Sequence, residues 1–82
     1  MNKIIQAIVK LLKQKCYIYN IDTGKLEFTI YVNDAPLVGE NVIIYHKNKF
    51  KHFTVVKRIF GANANNNTSV WNLYVHPDKK ES

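Results

Sequence analysis

The chain has 82 residues and a net charge of +6 at pH 7, with 46% hydrophobic and 22% charged residues. This balance excludes a disordered polyelectrolyte and a membrane-inserted chain, and it predicts one small folded domain over residues 1–78. A domain of this size hides only roughly 60–65% of the surface its unfolded chain exposes, so its core is modest. The single cysteine, Cys16, cannot close an internal disulfide. Small secreted domains lean on several such bridges, so the expected setting is reducing and cytoplasmic.

The first segment carries Ile4, Ile5, Ile8, Leu11 and Leu12 at helical spacing, opposite a stripe of Lys3, Gln6, Lys10 and Lys13. The spacing predicts an amphipathic helix over 1–14 that docks on a sheet or on a second protomer, which would make the protein a homo-oligomer. Gln6, Lys10 and Lys13 interrupt the apolar run and no small-residue cleavage site follows, so the segment does not read as a signal peptide.

From Lys15 the period changes to two, with Cys16 and Ile18 on one face and Tyr17, Tyr19 and Ile21 on the other. Asp22-Thr23-Gly24-Lys25 has turn chemistry and leads into a strand over 26–32, with Leu26, Phe28, Ile30 and Val32 inward. Asn33, Asp34 and Pro36 break that run before a third strand over 41–46. Lys47-Asn48-Lys49 is a tight interruption in which Asn48 suits a left-handed backbone, giving a hairpin into a fourth strand over about 50–60. Residues 61–69 hold several asparagines and no large apolar side chain, and they read as an exposed, mobile loop. A last strand over 70–75 places Trp71, Leu73 and Val75 on one face, and residues 79–82 read as a disordered tail. The expected fold is therefore mainly β within an α+β class. One helix precedes a five-stranded antiparallel sheet over 15–76, closed into a small, partly open barrel of the SH3-like or OB-like kind.

Charge is segregated along the chain. Residues 20–42 hold Asp22, Glu27, Asp34 and Glu40 against Lys25 alone, whereas no acid lies between Glu40 and Asp78. That acid-free stretch carries Lys47, Lys49, Lys51, Lys57 and Arg58 among Tyr45, Phe50 and His52. Cations beside aromatic rings are what a polyanionic backbone and its bases require, so these eight residues form the candidate nucleic-acid-binding set, with little sequence specificity because no recognition helix is evident. Strict alternation over the fourth strand puts Phe53, Val55 and Ile59 in the core and exposes Phe50, His52, Thr54 and Arg58. Lysines of this kind also protect sheet edges from unwanted pairing.

The alternative is a protein–protein adaptor or inhibitor, of the sort viruses and mobile elements encode, docking through Tyr17, Tyr19 and Tyr31 or through a sheet edge. His46, His52 and His76 lack metal-ligand spacing, so no metal or other cofactor is predicted. Asp22, Asp34 and Glu40 fall in turns and no acid–base pair converges, so no catalytic residues are assigned and the expected role is non-enzymatic. Cys16 has no activating neighbour and reads as packing. Asn66-Asn67-Thr68 and Asn67-Thr68-Ser69 match glycosylation acceptors only by chance.

Overall fold

The computed structural model describes residues 13–78. Within them lie β1 (Gln14–Asn20), β2 (Leu26–Val32), β3 (Asn41–His46), β4 (Lys49–Asn63) and β5 (Thr68–Pro77). They form one sheet in the order β2-β1-β5-β4-β3, curled into a half-barrel. Each strand is rich in β-branched and aromatic residues, which suit a pleated, half-buried surface. No helix occurs among the described residues. The helix expected over 1–14 lies outside them up to residue 12, and Gln14 already belongs to β1. The expected tail over 79–82 lies outside them as well.

The expectation of a wholly antiparallel sheet needs correcting. β1 pairs with β5 in parallel, from Cys16 opposite Trp71 to Asn20 opposite Val75, while β1–β2, β3–β4 and β4–β5 are antiparallel. The segment 33–40 carries the chain from β2 at one edge to β3 at the other, so the returning hairpins bring β5 alongside β1 in the same direction. Alternation within a strand reports which face is buried but not which strand lies beside it.

Two hairpins have turn chemistry that the sequence encodes directly. Lys47 and Asn48 both take left-handed backbone angles, φ 51° and 63°, as a two-residue turn matched to strand twist demands. The β4–β5 hairpin is longer than expected. Gly61, Ala62 and Asn63 pair with Val70, Ser69 and Thr68, so most of the segment read as a mobile loop is ladder. Only residues 64–67 turn. There the Asn65 N–H donates to Asn63 Oδ1 at 2.9 Å, the Thr68 hydroxyl donates to Asn66 Oδ1 at 2.7 Å, and Asn67 supplies a φ of 59°. The asparagines thus make the turn that ends the ladder.

The core is small. Cys16 and Ile18 from β1, Phe53 and Val55 from β4, Leu73 and Val75 from β5, and Ala35 from the crossing segment are buried. Phe28, Ile30, Val32, Val42, Ile44 and Trp71 pack half-buried around them on the concave side. Phe28 reaches across the concavity, its ring edge-on to His46 at 5.3 Å and to Phe53 at 6.1 Å, so β2 and the β3–β4 hairpin converge. Each fully buried Ile, Val or Leu contributes about 1.5–3 kcal/mol, which makes this handful of side chains the main source of stability.

A bulge between Val55 and Lys57 decides which side chains β4 shows to each face. Val56 is the extra residue and is 46% exposed. One inserted residue inverts the parity of everything after it. Arg58 and Phe60 therefore follow Phe53 and Val55 onto the concave side, and Lys57 and Ile59 move to the convex side. The expectation that Ile59 belongs to the core and Arg58 is exposed is thereby reversed: Ile59 is 41% exposed and Arg58 is half-buried.

Candidate nucleic-acid interface

The eight residues of the candidate set do not converge; the pleat and the bulge divide them among four places. Tyr45 and Phe50 sit opposite each other at the end of the β3–β4 hairpin on the convex face, rings 4.8 Å apart. They are 60% and 66% exposed, and the Tyr45 hydroxyl donates to Asn48 Oδ1 at 3.1 Å, bracing the turn that carries Lys47. His52 follows on the same row beside Ile43, half-buried, with its carbonyl accepting the Asp78 N–H at 2.9 Å.

Lys49 and Lys51 occupy the opposite, concave parity. Lys51 Nζ stands 5.7 Å from the Phe28 ring centroid, and Lys49 lies opposite His46. A shallow depression of about 310 Å³ beside them is lined by Lys51, His52 and Phe53 but also by Glu27 and Asp78. Those two carboxylates oppose a polyanion there.

Arg58 is committed to the fold. Its guanidinium carbon lies 4.0 Å from the Trp71 ring centroid, and Nη1 donates to the carbonyls of Ala35 at 3.3 Å and Pro36 at 3.0 Å. The Ala35 N–H in turn donates to Gln14 Oε1 at 3.0 Å. Arg58 thus ties the crossing segment to the sheet and covers Trp71, whose other neighbour is the Phe60 ring, edge-on at 5.0 Å. Trp71 packs half-buried against the core and is the platform for this clamp. Burial pushes the Cys16 thiol above its ordinary pKa, and the positive charge of Arg58 partly offsets that rise.

Lys57 belongs to a fourth place, where two lysines stand over a row of tyrosine rings. On the convex face Tyr19 stacks on Tyr74 with centroids 5.3 Å apart and planes 20° apart, and Tyr17 stands edge-on to Tyr19 at 6.3 Å. Lys57 Nζ lies 5.7 Å from the Tyr74 centroid and Lys15 Nζ lies 5.0 Å from the Tyr17 centroid. Tyr31 is opposite Lys15 on the neighbouring strand. The result is a ladder running Lys15, Tyr17, Tyr19, Tyr74, Lys57. The hydrogen bond to the Tyr17 side chain, with a smaller contribution from Tyr31, raises the pKa of Lys15 above its ordinary value. The convex positions of β1, of β5 and of β4 beyond the bulge carry no acid. Three carboxylates stand at the margins of this face: Glu27 accepts from Asn20 Nδ2 at 3.5 Å, Asp22 lies 3.7 Å from His76 Nε2, and Asp78 accepts from the Thr54 hydroxyl at 2.8 Å.

The three tyrosines first read as a protein-docking face thus share their surface with Lys57 from the nucleic-acid set. Lys15 and Tyr74 complete it and belong to neither candidate set. Lys15 was legible, since it alternates with Tyr17 and Tyr19; the place of Tyr74 depends on the parallel β1–β5 pairing. Among the described residues no group of three or more His, Cys, Asp or Glu side chains is placed to hold a metal ion, and no helix is long and apolar enough to cross a membrane. Comparison with known proteins finds no matching family model, no similar curated protein and no similar solved structure.

Proposed function

We propose that this protein is a small, non-enzymatic nucleic-acid-binding module with little sequence preference. The observation that carries this reading is the convex ladder of Lys15, Tyr17, Tyr19, Tyr74 and Lys57, in which a lysine at each end flanks a row of three rings. Ammonium groups neutralise phosphates without reading sequence, and rings accept any base on their faces. Lys47, at the tip of the neighbouring hairpin, extends the cationic footprint. The finer architecture belongs to the same proposal: a partly open barrel of the SH3-like or OB-like kind, of which OB-like barrels bind oligonucleotides on a sheet face.

The test is a fluorescence-anisotropy titration of labelled single-stranded and duplex oligonucleotides over a salt series. Three participating cations predict a log–log slope of about −2 on single strands and about −2.7 on duplex. Absence of binding at low salt overturns the reading. A protein-docking role is the second reading, favoured by one specific feature: Ile43, Tyr45 and Phe50 form a contiguous exposed apolar row beside β3, an edge strand of the sheet among the described residues.

A further inference from the structure

Resting on the nucleic-acid reading, we infer that the convex ladder takes single strands in preference to duplex, by an exchange in which bases displace the two lysines from the ring faces they cover. Lys57 lies over Tyr74 and Lys15 lies over Tyr17, so each cation occupies a surface that a base would need. Tyr19 stacks on the Tyr74 ring at 5.3 Å, and the ammonium of Lys57 stands 5.7 Å from the same ring centroid. An exposed cation–ring contact is worth a factor of about two to five in an equilibrium. A base stacked on an aromatic ring is worth about five to a hundred and fifty. The exchange therefore runs toward the nucleotide, and the released ammonium turns to the adjoining phosphate.

Duplex cannot make this exchange, because its base faces are covered by one another. Nor does the ladder offer a helix or ribbon to enter a groove; it is the flat of a sheet. The lysines have a second consequence in the free protein. Positioned over the rings, they keep an apolar aromatic row from presenting a sticky surface to other chains. The register fixes the order of events along the strand: Tyr74 and Lys57 pair directly across β5 and β4, and Lys15 lies two positions before Tyr17 along β1. One base on Tyr74 and one on Tyr17, with Tyr19 between them, is the smallest ligand that uses both cations.

The experiment is an anisotropy comparison of a labelled oligothymidine strand with a labelled duplex of equal length, using the full chain and the variants Tyr74→Phe, Tyr74→Ala and Lys57→Gln. The strand is expected to bind at least about tenfold tighter than the duplex. Tyr74→Phe keeps the ring and should stay within about twofold, whereas Tyr74→Ala should lose about five- to a hundred-and-fifty-fold on the strand. Lys57→Gln should lower the magnitude of the single-strand salt slope by about 0.7. Trp71 fluorescence and a thermal melt check that each variant folds; if Tyr74→Ala does not, Tyr17→Ala serves in its place. Equal affinity for duplex and strand, with Tyr74→Ala indistinguishable from the parent, overturns the exchange while leaving nucleic-acid binding intact. Binding to neither overturns both. Preference for duplex also overturns the exchange and moves attention to the asparagine turn at the end of the β4–β5 ribbon, which has a shape that enters a major groove.

Discussion

The β3–β4 hairpin and the convex face of β1, β5 and β4 contain the same kinds of residues, yet only one of them interleaves cations with rings. In the hairpin, alternation sends Tyr45, Phe50 and His52 to one face and Lys49 and Lys51 to the other. On the convex face, Lys15, Tyr17 and Tyr19 alternate on a single strand, and the parallel pairing sets Tyr74 and then Lys57 beside them. A polyanion that stacks its bases needs both kinds of side chain on one side of the sheet. Composition favours the hairpin, whereas geometry favours the ladder.

The sequence neighbours Lys57 and Arg58 are sent to opposite faces by the bulge, and their loss should have opposite consequences. Arg58→Ala removes a half-buried cation from Trp71 and leaves the carbonyls of Ala35 and Pro36 without their donor. It should cost about 1.5–3 kcal/mol of stability, read as a lower urea midpoint at unchanged slope. Lys57→Ala should stay within about 0.5 kcal/mol in the same assay while weakening oligonucleotide binding. Equal stability losses would place both side chains in structural roles and remove Lys57 from the ladder.

A smaller effect is expected from the hairpin rings. Replacing Phe50 with Ala breaks the Tyr45–Phe50 pair and should cost about 0.5–1.5 kcal/mol beyond the area lost, with oligonucleotide affinity changed by less than about threefold. A large affinity loss at constant stability would return the site to the hairpin. Charge reversal separates the two regions at similar scale. Lys15→Glu with Lys57→Glu should abolish measurable binding at moderate salt, and Lys49→Glu with Lys51→Glu should weaken it less, through the long-range field alone.

The smallest effect concerns Cys16. Its thiol is fully buried and its pKa is raised above 9.0, chiefly by burial. A raised pKa means that the folded state holds the proton more tightly, so the contribution is fully present below the unfolded thiol's pKa and is lost as pH rises past it. The stability advantage of the parent over Cys16→Ala should therefore shrink as pH rises above about 8.5 in parallel urea titrations. A constant difference would show that the thiol is not shielded from solvent.

Much of the sheet was legible because period-two alternation and turn chemistry are local. Phe28, Ile30 and Val32 announced a face that packs half-buried on the core, although Leu26, expected with them, is 51% exposed beyond a register shift, and Asp22-Thr23-Gly24-Lys25 and Lys47-Asn48 announced their turns. The bulge at Val56 was not legible, because an apolar residue extends the alternation Phe53, Val55, Lys57 as plausibly as it interrupts it. That one inserted residue sent Arg58 inward and Lys57 outward, and so divided the candidate site. The neighbours of β1 were equally hidden: nothing in Tyr17 or Tyr19 specifies that Tyr74 lies beside them, because strand pairing is set by the path of the whole chain. The asparagines at 63, 65, 66 and 67 argued for a loop through low strand propensity, yet the ladder continued through Gly61 to Asn63 on backbone hydrogen bonds and left the side chains to finish the turn.

The most direct test of the central claim is amide chemical-shift mapping of the full chain titrated with a short single-stranded oligonucleotide. The ladder predicts progressive shifts concentrated at residues 15–19, 57 and 72–76, with those at 43–53 smaller and later in the titration. Shifts confined to 43–53, with 15–19 and 72–76 unmoved, would contradict it and make the hairpin the ligand-facing surface.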